Sequence, residues 1–137
     1  GVTLAFETME TPFMNTVEKA MKAVSLADSP WLQVYPDIGN LTNAALTNDK
    51  TIEEDLECGR GHIAAMHLKE TVPGVFREVP FGTGHVDFVS GIEKAKALGV
   101  RCFVGEFWYK GSETWQKDLS DACVFLRDKL EKAGFRA

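Results

Sequence analysis

At 137 residues, with 45% hydrophobic and 26% charged side chains, the chain has the make-up of one globular domain able to bury a core of ordinary size. A formal net charge of −5 argues against a nucleic-acid partner, because phosphate backbones are held by a surplus of Lys and Arg. No apolar run approaches the roughly 20 residues that cross a bilayer, the first residues show no basic n-region with an apolar h-region, so that no secretory signal is expected, and Cys58, Cys102 and Cys123 are widely spaced with no C-x-x-C pair, as expected of reduced thiols in a cytoplasm rather than of a disulfide framework or zinc knuckle.

The chain begins at Gly1 and runs directly into a core-type strand, which reads either as processing or as the latter part of a longer protein. Val2 to Phe6 is too uniformly apolar to alternate, so it predicts a strand buried on both faces of a parallel sheet, ending at Glu7. Thr11 and Pro12 are placed to cap and start a helix. Its apolar stripe is Phe13, Val17, Ala20, Met21 and Val24, and Ala27-Asp28-Ser29-Pro30 stops it. A second strand, Trp31 to Tyr35, with Trp31 in the core, ends at Asp37, where Gly39 and Asn40 favour a turn. Residues 40–50 are rich in Asn and Thr and read as a loop with at most a short helical turn. Thr51 to Glu54 is a capping box opening a short helix that buries Ile52 and Leu56.

The third strand, His62 to Met66, ends at His67. Residues 68–86 form a long irregular stretch with Pro73-Gly74, Pro80 and Gly82-Thr83-Gly84, a length that points to function or disorder. Asp87 is placed to cap a helix burying Phe88, Ile92, Ala95 and Leu98. A fourth strand, Cys102 to Gly105, ends at Glu106. Ser112 is placed to cap a last helix burying Trp115, Leu119, Ala122, Cys123, Leu126 and Leu130. His62 begins its strand and so faces away from the strand ends, and His85 is a loop residue within reach of a substrate.

Four βα units imply right-handed crossovers and a parallel sheet with helices outside. A small doubly wound sheet and half of an eight-unit barrel both fit, and both place chemistry at the carboxyl ends of strands. Glu7, Asp37, His67 and Glu106 all hold that position and so share one rim. Taken singly, each reads as a helix cap, a solvated loop residue or a satisfied histidine. Taken together, three carboxylates and a neutral imidazole suit Mn²⁺, Mg²⁺, Co²⁺ or Zn²⁺. A Lewis acid there stabilises the enediolate formed when a proton leaves the carbon next to a carbonyl, with two carboxylates as base and acid.

The runs Leu4-Ala5-Phe6-Glu7-Thr8-Met9, Tyr35-Pro36-Asp37-Ile38-Gly39-Asn40, 61–69 (Gly-His-Ile-Ala-Ala-Met-His-Leu-Lys) and 79–88 (Val-Pro-Phe-Gly-Thr-Gly-His-Val-Asp-Phe) resemble the sugar-phosphate epimerases of the xylose-isomerase-like barrel superfamily. The likeness runs along essentially the whole chain. It implies an α/β fold that is the C-terminal half, strands five to eight, of a (β/α)8 TIM barrel, as a single domain over residues 1–137 with the N-terminal half absent. It also implies a divalent metal on Glu7, Asp37, His67 and Glu106. Glu7 and Glu106 then double as acid and base in the 3-epimerisation of a ketopentose 5-phosphate through a metal-stabilised cis-enediolate.

Relatives acting on free ketohexoses carry an Arg six residues past the metal-binding His, where this chain has Pro73, so a different substrate end group is expected. Lys69 and Arg77 can supply charge to a phosphate, and Gly82 and Gly84 backbone N–H groups. The plainer reading is a solvated Arg77 and turn-shaping glycines. Asn40 and Trp108 are candidate substrate contacts, Trp108 and Tyr109 as walls of the pocket. Competing functions are another sugar isomerase or epimerase, an inositol-derivative dehydratase, or an inactive half-barrel; three His and the negative charge oppose a multi-metal nuclease. Half a barrel exposes two sheet edges and an apolar interior, which predicts a homodimer or association with the missing half.

Overall fold

The computed structural model describes residues 1–136. Their order is β1 (Leu4–Glu7), α1 (Val17–Ala27), β2 (Leu32–Tyr35), α2 (Ile38–Ala45), α3 (Ile52–Glu57), β3 (Met66–Leu68), α4 (Phe88–Ala97), β4 (Phe103–Gly105) and α5 (Trp115–Lys132). β1 pairs in parallel with β2, Leu4 opposite Leu32 and Glu7 opposite Tyr35. β3 pairs in parallel with β4, Met66 opposite Phe103 and Leu68 opposite Gly105. Parallel bridges Val34–Ile63 and Asp37–His67 join the two pairs, so the strands run 1-2-3-4.

All the helices lie in one layer. α1 and α2 each pack on α3, α3 on α4, and α4 on α5. One core joins Val17, Ala20 and Val24 of α1, Ile38 and Leu41 of α2, Leu56 of α3, and Ile92 and Ala95 of α4 to Val34, Met66 and Leu68 of the strands. Burying each of these larger side chains contributes about 1.5–3 kcal/mol. A doubly wound sheet would carry helices on both faces; this one is a half-barrel, with its concave side bare. Glu7, Tyr35, His67, Val104 and Glu106 lie on that side, while their neighbours Val34 and Met66 enter the core.

The β2–β3 ladder contains an irregularity that decides what faces the concave side. The Val34 N–H donates to the His62 carbonyl (2.8 Å) and the Ala64 N–H to the Val34 carbonyl (3.0 Å). Pro36 has no N–H to continue the ladder. The next bond is the His67 N–H to the Pro36 carbonyl (2.8 Å), so three steps along one strand are matched by four along the other, a one-residue bulge. Met66 therefore turns into the core and His67 out of it. The strand expected at His62 to Met66 is corrected accordingly: its regular part is Met66–Leu68, with His67 in the middle rather than past the end.

Other expectations are corrected for identifiable reasons. The first helix starts at Val17, capped by Thr16, whose side chain accepts from the Lys19 N–H; Thr11 and Pro12 sit in a turn and Phe13 is 83% exposed. The buried Asp55 carboxylate of α3 accepts the Val17 and Glu18 N–H groups (2.8 and 3.0 Å), which fixes that start. The first part of the Asn- and Thr-rich segment is a helix, α2, because burial of Ile38, Leu41 and Ala44 outweighs weak intrinsic propensity, while residues 46–50 are turn and bend, as expected. Val2 and Leu4 (65% exposed) and Trp31 are not core, since β1 is an open edge. α5 buries only Ala122 fully, with Leu126 and Leu130 half-buried and Trp115, Leu119 and Cys123 exposed, because among the elements it packs chiefly on α4 and β4. Its start is Trp115, and Ser112 Oγ accepts from the Thr114 N–H outside the helix. The Thr51–Glu54 capping box and the Asp87 cap are as expected. Among the described residues no helix is long and apolar enough to cross a membrane.

Candidate metal centre

Each strand delivers one ligand-type side chain to the same rim. Glu7 is the last residue of β1, and the Thr8 that follows it ties this strand to the next: its Oγ1 accepts from the Asp37 N–H (2.8 Å) and its carbonyl from Asn40 Nδ2 (2.8 Å). Asp37 is the N-cap of α2. Its Oδ1 accepts from the Asn40 N–H (2.8 Å), so that oxygen is committed to the helix. Its Oδ2 is buried, has no aligned hydrogen bond, and lies 3.2 Å from Lys69 Nζ. His67 is set by the bulge and backed by the Tyr35 ring, 4.3 Å between centroids. Glu106 follows β4, its N–H on the Leu68 carbonyl (2.9 Å).

His67 Nδ1 lies 3.0 Å from Glu7 Oε1, 3.0 Å from Glu106 Oε2 and 3.9 Å from Asp37 Oδ2. One ligand atom from each of the four residues falls within 4.8 Å of the other three. Nδ1 carries at most one hydrogen and cannot serve both glutamates. Glu106 Oε2, although 3.0 Å away, is buried without an aligned hydrogen bond. Two orphaned buried oxygens, a third carboxylate and an imidazole converging on one point fit a divalent cation.

The electrostatics point the same way. Burial pushes the Asp37 carboxyl up to about 7, against the pull of Lys69. The imidazole of His67, 3.0 Å away, holds Glu106 down to about 2, and the same proximity, with Glu7, raises the His67 imidazole. A cation needs Asp37 ionised and the liganding imidazole nitrogen bare. Both groups are shifted upward, so both protons must leave on binding, and affinity is greater at higher pH. Mn²⁺ affinity is expected to rise from about pH 6 to about pH 8, with protons released in a weakly buffered titration; a pH-independent Kd would contradict this.

The remaining expected site residues are not all at the centre. Asn40 is buried with its N–H on Asp37 and its Nδ2 on Thr8, so it braces the α2 cap, and its Oδ1 has no partner. Lys69 is 2% exposed, with Nζ 3.2 Å from Asp37 Oδ2 and 3.6 Å from Glu106 Oε1, inside the carboxylate cluster. Trp108 lies beside it, 5.6 Å from Nζ to the ring centroid, and the Arg77 guanidinium lies 5.9 Å from the same centroid. Arg77 Nε donates to Glu10 (2.7 Å). The Gly82 N–H is spent on Glu70 (2.9 Å), and Gly84 is needed for close packing, since a Cβ there would meet the Thr71 carbonyl at 2.1 Å.

Glu70 is the residue sequence reasoning missed. Buried at the end of β3, it accepts from the Thr71, Gly82 and Val86 N–H groups (3.2, 2.9 and 3.2 Å) and so folds the long β3–α4 loop around one carboxylate. His85 belongs to the same device, its N–H on the Thr71 carbonyl and its Nε2 3.1 Å from Thr71 Oγ1. For Lys69 a signal existed: two residues past His67 along a strand is the same face. For Glu70 there was none, since an acid at a strand end reads as solvated.

A family model described as xylose isomerase-like TIM barrel matches residues 1–129. The chain belongs to that family. Within the xylose isomerase-like barrels it is 42% identical, over 97% of its length, to an L-ribulose-5-phosphate 3-epimerase of Shigella flexneri, and 42% identical over the same share to one of Salmonella paratyphi A. It covers 46% of each of those proteins, so the chain spans about half the length of the curated relatives it matches. Two solved structures share the fold: an L-ribulose 3-epimerase (TM-score 0.73, 18% identity, 97% of this chain and 48% of that one) and the 3-keto-D-glucoside 4-epimerase YcjR of Escherichia coli (TM-score 0.72, 17% identity, 92% and 46%).

Proposed function

We propose that this chain carries the metal-binding and acid–base half of a divalent-cation-dependent 3-epimerase acting on a ketopentose 5-phosphate. The observation that carries the reading is that Glu7 and Glu106 come from the two outer strands, with Asp37 and His67 between them and all four ligand atoms within 4.8 Å. The 42% identity to L-ribulose-5-phosphate 3-epimerases supports the substrate class.

A divalent cation bound there supplies Lewis-acid stabilisation of the charge that develops on the substrate's C2 oxygen. Asp37 and His67 hold position, the first through the α2 cap and the second through the bulge. One of Glu7 and Glu106 takes the C3 proton, which leaves a planar enediolate, and the other returns a proton to the opposite face. Arg77, on the loop that Glu70 shapes and with its Nε on Glu10, donates its remaining guanidinium N–H groups to the phosphate. Trp108, whose ring both Lys69 and Arg77 approach, walls the path from phosphate to reacting carbon. Among the described residues the outer edges of β1 and β4 carry no strand, and a complementary four-unit half, or a second copy, closes the barrel over them. Three free cysteines suit a reducing cytoplasm.

The test is NMR of L-ribulose 5-phosphate in D₂O with the complete protein and Mn²⁺. Formation of L-xylulose 5-phosphate carrying deuterium at C3 is expected, abolished by chelation and restored by Mn²⁺. Inversion at C4, or no turnover of the phosphate ester, rejects the reading.

A further inference from the structure

We infer that Lys69 is a positioning residue, a built-in counter-ion that occupies part of the cation's electrostatic place and orients Glu106 for proton transfer, and that it is not a phosphate ligand. The inference rests on the proposed cation site.

Three observations carry it. Lys69 lies two residues beyond His67, on the same concave side, but unlike an anion-binding lysine it is sealed off, 2% exposed beside the Trp108 ring. Its ammonium contacts two different ligands, Asp37 Oδ2 at 3.2 Å and Glu106 Oε1 at 3.6 Å. It also divides the work of the Glu106 carboxylate. Oε1 turns to Lys69, while Oε2, buried and without an aligned hydrogen bond, points to His67 and the centre. Asp37 is divided in the same way, Oδ1 to the α2 cap and Oδ2 inward.

Charge balance gives the consequence. Glu7, Asp37 and Glu106 together carry three negative charges when ionised, Lys69 returns one positive charge, and a divalent cation neutralises the remainder. Without the cation, the lysine keeps Asp37 and Glu106 from repelling each other apart. With the cation, the lysine repels it from a few ångströms away, at the low effective dielectric of a buried site. Lys69 thus holds the ligands in place and weakens the grip on the metal. Removing its charge should tighten metal binding, the reverse of what losing a site residue ordinarily does.

The experiment measures Mn²⁺ affinity by electron paramagnetic resonance titration, alongside kcat and KM, in the complete protein and in Lys69→Met, Lys69→Gln and Lys69→Arg. Met preserves length and burial, Gln serves if Met does not fold, and Arg keeps the charge. The expected result is Mn²⁺ binding at least about tenfold tighter in the uncharged variants, with kcat lowered and KM for the phosphate ester little changed, and near wild-type affinity in Lys69→Arg. Equal or weaker Mn²⁺ binding in the uncharged variants overturns the inference, as does a raised KM at unchanged Mn²⁺ affinity, which returns Lys69 to the phosphate. A wild-type protein that binds no Mn²⁺ overturns the cation site itself, whereas metal binding without epimerisation overturns only the proposed reaction.

Discussion

Replacing Glu7 or Glu106 by Gln in the complete protein is expected to slow epimerisation at C3 by roughly 10²–10⁴-fold in both directions. A carboxamide keeps the shape and one oxygen donor, so a cation can still be held, but it cannot accept the C3 proton. The two variants should differ in a diagnostic way. If each glutamate serves one face, the epimer whose C3 hydrogen faces the intact carboxylate still exchanges with D₂O without inverting. Glu7→Gln and Glu106→Gln should therefore retain exchange of opposite epimers. Metal affinity should suffer more in Glu106→Gln, because that carboxylate is engaged by both His67 and Lys69, whereas Glu7 touches only His67 and is more exposed. Undiminished epimerisation in both variants, with Mn²⁺ bound, would remove these residues from the chemistry.

Glu70→Ala is expected to lower stability by about 3 kcal/mol or more. It strands three amide donors, Thr71, Gly82 and Val86, at an average of about 1–3 kcal/mol for each unsatisfied group that stays buried. The damage should be local first, since a loop organised by one carboxylate can open without the helices parting. Hydrogen exchange should speed up at those three amides and leave the core of α1 and α4 protected. Glu70→Gln keeps one acceptor and should fall between. Because Arg77 rides on this loop, the variant should also bind a phosphate ester less well. Unchanged protection at Gly82 and Val86 would show that the loop is held by something else.

How much of this was legible beforehand depended on whether the controlling interaction was local. The Thr51–Glu54 box and the Asp87 cap close within one turn, and both are spelled by adjacent residues. The four ligand-type residues at strand ends were visible because each ends an apolar run. The helix start was misplaced because Asp55, from a different helix, caps Val17 and Glu18, and no window around Thr11 contains that information. The helix at Ile38–Ala45 was hidden by Asn and Thr, whose weak propensity is overruled by burial. Lys69 beside a long loop reads from sequence as a phosphate contact, and only the fold reveals the two carboxylates within reach of its ammonium.

Pro36 has a part larger than its place between Tyr35 and Asp37 suggests. Up to Ile63 the third strand is in one phase of its alternation; from Met66 on it is in the other, and the change is made by an amide hydrogen that proline does not have. The spacing from Ile63 to His67 is therefore matched to the bulge: with the same four steps in unbroken alternation, the imidazole would enter the core and the thioether the rim. The long segment between Thr71 and Asp87 is under no such arithmetic, because what it must deliver is a few amides to one carboxylate. Length variation among proteins built on this plan has room in the second stretch, whereas in the first a change of one residue must come with a change in the bulge.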